Sequence, residues 1–172
     1  MGYAFNDLEG LRIAVEMEKR GELFYTRASR ISRNPETVAL LQALAREESQ
    51  HARDFQELYD RECDGKAQRD GSRSCAESYN PETSAYLAAI AADIIFPGGL
   101  RGLADVGFDD PAAVLRAAIA SEKDSILFYS ELGGFAHDAH AREVFEAIAA
   151  QERGHMVRLL NRLESVVGRE ER

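Results

Sequence analysis

Apolar residues return every third or fourth position along four long stretches of the chain, with charged residues between them. Leu8, Leu11, Val15, Glu18, Glu22 and Tyr25 form a first stripe, and Val38, Leu41, Ala45, Glu48, Ala52, Phe55 and Tyr59 a second. Leu115, Ala118, Glu122, Ser125 and Tyr129 form a third; Phe145, Ile148, Glu152, His155, Leu159, Leu163 and Val166 form a fourth. Residues three and four apart share one face of a helix, so each stripe predicts an amphipathic helix facing a core. The expected spans are about 7–32, 35–63, 111–132 and 139–167.

The boundaries carry matching chemistry. Asn34-Pro35-Glu36 supplies an N-cap followed by Pro at the first helical position, and Asp110-Pro111 repeats the device. Asp138 is a candidate cap for the fourth helix, and Gly133-Gly134 reads as the end of the third. Tight turns join the first helix to the second and the third to the fourth, which predicts two antiparallel hairpins. Between them lies a crossover, 64–110, with a short helix expected at about 82–95 after Asn80-Pro81. A helix of ~25 residues is ~38 Å long, and a connector of this size can span it. The expectation is one all-α domain over 1–172: a four-helix bundle with one long crossover.

Composition narrows the function classes. A chain of 172 residues is long enough for a sizeable core, and a net charge of −9 argues against a nucleic-acid partner. The N-terminus, Met1 to Asp7, lacks the basic and apolar regions of a signal peptide. The longest apolar stretch, Ala85–Phe96, is interrupted by Asp93 and falls short of the roughly 20 residues of a spanning helix. A cytoplasmic protein is therefore expected, with no membrane association. Cys63 and Cys75 are too few for a disulfide scaffold and read as reduced thiols.

The chemistry lies where the apolar stripes are broken. Glu48-Ser49-Gln50-His51 recurs as Glu152-Arg153-Gly154-His155, 104 residues later. The same shift takes Glu18 to Glu122, Tyr25 to Tyr129 and Asn34 to Asp138. Across 11–58 and 115–162 it yields twelve identities, the acidic and imidazole residues among them. Glu18, Glu48, His51, Glu122, Glu152 and His155 stand where the stripes call for Leu or Ile, so all six point inward. Taken singly, a Glu or His on a helix is ordinarily solvated or in a salt bridge. Four carboxylates buried without counter-charge would cost several kcal/mol each, and the stripes hold no Lys or Arg. Two divalent cations balance that charge. The oxygen-rich donor set suits iron or manganese, with zinc as a substitute.

A Glu from each of two helices with Glu-x-x-His from each of the other two resembles the ferritin-like superfamily. Ala14 to Lys19 followed by Phe24-Tyr25, and Ala118 to Lys123 followed by Phe128-Tyr129, are similar to the rubrerythrin-type branch. The resemblance implies a di-iron centre. In it Glu48 and Glu152 bridge, Glu18 and His51 complete one metal, and Glu122 and His155 complete the other. Tyr25 and Tyr129 resemble tyrosines that hydrogen-bond such ligands. Rubrerythrin carries a further Glu one turn after its third-helix ligand, and Ser125 stands there. Ser49 stands where the haem-ligating Met of bacterioferritin would fall, so no haem is expected. With no rubredoxin domain in this sequence, a separate electron-donor protein is implied.

The resemblance implies an oxidoreductase that reduces hydrogen peroxide or O2 while oxidising Fe(II). Ferroxidation for iron handling, without an organic substrate, is the alternative; a metal-stabilised structural protein is a third reading. A homodimer is also implied, and the long crossover would permit exchange of hairpins between subunits.

Overall fold

The computed structural model describes residues 7–70, 110–136 and 138–170. Four helices make up these segments: α1 (Asp7–Ile31), α2 (Pro35–Asp70), α3 (Pro111–Phe135) and α4 (Ala139–Glu170). α1 lies along α2 and α3 along α4; the hairpins meet through α1 against α3 and α2 against α4. The architecture is the expected ferritin-like four-helix bundle. Most of the expected crossover, including the short helix at about 82–95, lies outside the described residues.

The caps are formed as the sequence implies. Asn34 Oδ1 accepts from the backbone N–H of Glu36 (3.0 Å) and Thr37 (3.1 Å). Asp110 Oδ1 accepts from Ala112 N–H at 2.8 Å, and Asp138 Oδ1 from His140 and Ala141 N–H at 2.9 Å each. Each bond satisfies a backbone donor that the first helical turn leaves without a partner.

Three local expectations are corrected. α2 does not stop at 63 but continues through Asp64-Gly65 to Asp70. A single Gly costs a helix only about 1 kcal/mol relative to Ala, so it need not end one. α3 likewise runs through Gly133-Gly134 to Phe135, where Ala136 N–H bonds Leu132 O at 2.8 Å. Gly133 faces α4: a Cβ there would lie 3.6 Å from Phe145 Cβ and 3.4 Å from Glu146 Cγ, ordinary contact distances. Finally, Cys63 is in a disulfide and is not a free thiol; Cys75 lies outside the described residues. No helix among the described residues is long and apolar enough to cross a membrane.

The core is built from the stripes. Leu11, Phe24, Leu41, Leu44, Phe55, Leu115, Phe145 and Leu159 are all buried. Phe55 packs against both Tyr129 (ring centroids 5.2 Å) and Phe145 (5.6 Å), tying α2 to the second hairpin. Each such side chain contributes about 1.5–3 kcal/mol on burial. A polar tie adds to this at one end of the bundle. Arg162 of α4, 10% exposed, donates to Thr37 Oγ1 at 2.8 Å, to Asn34 Oδ1 and to the Glu36 carboxylate. Arg162→Ala should destabilise the fold by about 1.5–3 kcal/mol, the range for charged hydrogen bonds. At roughly 2–4 °C per kcal/mol for a chain of this size, the melting temperature should fall by about 3–12 °C in calorimetry.

Candidate metal centre

Midway along the bundle the four stripes turn polar together. Glu18 comes from α1, Glu48 and His51 from α2, Glu122 from α3, and Glu152 and His155 from α4. All six are buried; Glu152 and His155 are each 1% exposed. Their donor atoms fall into two groups, each within 4.8 Å: Glu18, Glu48, His51 and Glu152, and Glu48, Glu122, Glu152 and His155. Glu48 and Glu152 belong to both groups.

The orientation of those two shared carboxylates is specific. Glu152 turns Oε1 to His51 Nδ1 and Oε2 to His155 Nδ1, at 2.9 Å each. Glu48 turns Oε2 to His51 Nδ1 (3.7 Å) and Oε1 to His155 Nδ1 (3.1 Å). Glu18 Oε2 lies 3.4 Å from His51 Nδ1, and Glu122 Oε1 lies 3.5 Å from His155 Nδ1. The imidazoles stack nearly parallel, 5.4 Å apart with 10° between planes. The two halves thus repeat the sequence repeat in space.

Backbone spacing makes room for this. A Cβ on Gly21 would sit 3.3 Å from Glu48 Cγ, tighter than an ordinary contact. Glycine in α1 therefore lets the Glu48 side chain lie against the helix.

The donors fit cations better than they fit each other. Glu18 Oε2, both Glu152 oxygens, and Nδ1 of His51 and His155 are buried without a hydrogen-bond partner. The 2.9 Å contacts between Nδ1 and carboxylate oxygen are out of line for hydrogen bonds. Buried polar atoms in a folded protein nearly always have a partner. Here five atoms lack one, and the groups that carry them are those whose residue types bind metal. Two divalent ions carry charge equal and opposite to the four carboxylates.

Without metal, protons must do that work. Burial pushes Glu18 well above the usual carboxylate range, and the charge on Glu48 adds to it. Burial does the same to Glu122, with Glu48 and Glu152 adding against the opposing pull of His155. For the histidines, burial acts to depress the pKa but the carboxylates overcome it. Glu152, Glu18 and Glu48 raise His51, and Glu122, Glu152 and Glu48 push His155 up to about 12. Glu48 and Glu152 are lowered: burial opposes ionisation, but Glu18 and the histidines prevail for Glu48, and the histidines prevail for Glu152.

The groups around the centre fix its orientation. Tyr25 of α1 donates its hydroxyl to Glu122 of α3, and Tyr129 of α3 donates to Glu18 of α1. Burial and the adjacent carboxylates, first Glu122 for Tyr25 and Glu18 for Tyr129, push both phenols well above their ordinary value. They therefore act as donors throughout the neutral range. Each hydroxyl thus bonds a candidate-ligand carboxylate of the other hairpin.

Two contacts were not foreseen. His51 Nε2 meets Gln151 Oε1 at 3.0 Å, and His155 Nε2 meets Glu47 Oε2 at 2.9 Å. Arg158 grips the same Glu47 carboxylate, with Nη1 3.0 Å from Oε1. The signal was present: Glu47 and Gln151 are also 104 residues apart, each four positions before a candidate histidine. They were missed because their residue types differ. Glu22 belongs to neither group of donors; it lines a surface groove with Arg30, Arg46 and Arg53. Ser125 is half-buried in α3 and offers no carboxylate.

The sequence matches the family described as Rubrerythrin over residues 9–90 and 113–172. No curated protein matches the chain. Two solved structures share its fold. A hypothetical protein from Pyrococcus furiosus is 16% identical with a TM-score of 0.63, over 95% of this chain and 92% of that one. A protein from Thermotoga maritima named as a ferritin-like diiron-carboxylate protein is 24% identical with a TM-score of 0.59. That alignment covers 94% of this chain and 96% of the other.

Proposed function

The chain belongs to the rubrerythrin family, and from that premise we propose that its six-residue centre binds two iron ions and reduces hydrogen peroxide or O2. The observation that carries this reading is the set of buried, hydrogen-bond-free donor atoms arranged in two groups that share Glu48 and Glu152. A pair of Fe(II) ions supplies two electrons, the number that takes hydrogen peroxide to water. Glu18 and His51 would hold one ion and Glu122 and His155 the other, with Glu48 and Glu152 within reach of both. The protein's own contribution is positioning and exclusion of bulk water. Nδ1 of each histidine faces the centre, Nε2 faces a fixed acceptor, and the phenols hold Glu18 and Glu122 in place. Electrons come from a separate donor protein, and the functional unit is a homodimer.

Ferroxidation for iron handling is the second reading, favoured by Ser125, which adds no carboxylate one turn after Glu122. One anaerobic experiment separates them. Protein loaded with two Fe(II) per chain is mixed with peroxide, then with a reductant, and cycled. Repeated consumption of peroxide with iron retained supports the reductase. A single oxidation, with further iron accumulating on addition, supports iron handling. No oxidation of the iron would overturn both.

A further inference from the structure

We propose that the two metal positions are inequivalent, and that Glu47 makes the position of His155 the tighter one. The proposal rests on the di-metal reading above and concerns groups outside the six ligands. Each histidine turns Nδ1 inward, so with a metal on Nδ1 the ring's proton would sit on Nε2 and be donated outward. His155 donates to a carboxylate, Glu47, at 2.9 Å. His51 donates to a neutral amide oxygen, Gln151, at 3.0 Å. The distances are similar and the two acceptors occupy corresponding places in the repeat, but one is charged and the other neutral.

That difference has chemical consequences. A carboxylate accepts but cannot donate, so Glu47 permits one tautomer of His155, the one that leaves Nδ1 free for a metal. Gln151 can turn its NH2 toward Nε2 instead, and so tolerates the other tautomer of His51. An anionic acceptor at Nε2–H also makes the ring's Nδ1 a stronger metal ligand. Arg158 then fixes the carboxylate by gripping both of its oxygens. The repeat has no second clamp: Asp54 stands where Arg158 would fall, and it accepts from Gln50 at 2.7 Å. The acceptors behind the two histidines are therefore unlike in charge and in support. Glu47 is a positioning residue, acting on the metal only through His155.

The test is anaerobic titration of metal-free protein with Mn(II), followed by calorimetry and by the spin-resonance signal of free Mn(II). The wild type should bind in two steps whose constants differ by about tenfold or more. Glu47→Gln should weaken the first step by roughly 10–100-fold and leave two similar sites. Gln151→Glu, at an exposed position, should strengthen the second step; loss of a merely structural contact would not produce that gain. Two equal steps in the wild type, or unchanged steps in both variants, would overturn the inequivalence while leaving the metal centre standing. Failure to bind Mn(II) tightly at all would overturn both.

Discussion

Replacing Glu152 with alanine should cost the protein both metal ions, whereas replacing Glu18 should cost one. Glu152 presents one oxygen to each histidine, so its side chain stands in both groups of donors. Glu18 faces only the His51 side. Removing one partner from a buried set of charges costs about 3–5 kcal/mol. At 1.4 kcal/mol per factor of ten, affinity should fall between roughly a hundredfold and several thousandfold. After anaerobic iron loading and desalting, elemental analysis should find about two ions per chain in the wild type, about one in Glu18→Ala, and close to none in Glu152→Ala. Circular dichroism serves as the control for folding. Equal retention by the two variants would contradict the shared role of Glu152.

Metal loading should cancel the fall of stability with rising pH. In the metal-free protein His51 and His155 have raised pKa values, so their contribution is fully present below the ordinary value of 6.5 and fades as pH rises. For His155 the loss extends to about pH 12. Glu18 and Glu122 are also raised, so above 4.5 the fold binds protons that the unfolded chain has released. All four groups make stability fall with rising pH. Glu48 and Glu152 act oppositely, but their contribution is lost only in acid, below 4.5. Metal binding requires the same groups deprotonated, so affinity rises with pH and loading releases protons. Metal at 100 times its dissociation constant stabilises by about 2.7 kcal/mol, or roughly 5–11 °C in melting temperature. Thermal melts between pH 6.5 and 8.5 should show the metal-free midpoint falling and the metal-induced gain growing. A metal-free midpoint that rises over this range would contradict the account.

How much of this could be read from the chain follows from what a linear pattern encodes. Helical periodicity places a residue on a face, and an inward Glu or His in an apolar stripe is a local anomaly. Six such anomalies at one common offset imply a shared centre, which is why Glu18, Glu48, His51, Glu122, Glu152 and His155 were visible. Tyr25 and Tyr129 were visible for the same reason. Glu47 and Gln151 were not, because each acts across the seam between α2 and α4 on a histidine of the other helix. Neither breaks an apolar stripe, so nothing local marks it. Gly133-Gly134 misled in the opposite direction: glycine weakens a helix by only about 1 kcal/mol per residue, and α3 runs through the pair to Phe135. Asp64-Gly65 misled in the same way, since α2 continues through it to Asp70.

The measurement that bears most directly on the whole account is anomalous diffraction at the iron edge from crystals of iron-loaded protein. Two peaks should stand inside the bundle, one beside Glu18 and His51, the other beside Glu122 and His155, with Glu48 and Glu152 between them. Iron found only on surface carboxylates, with the six buried side chains contacting none, would contradict it.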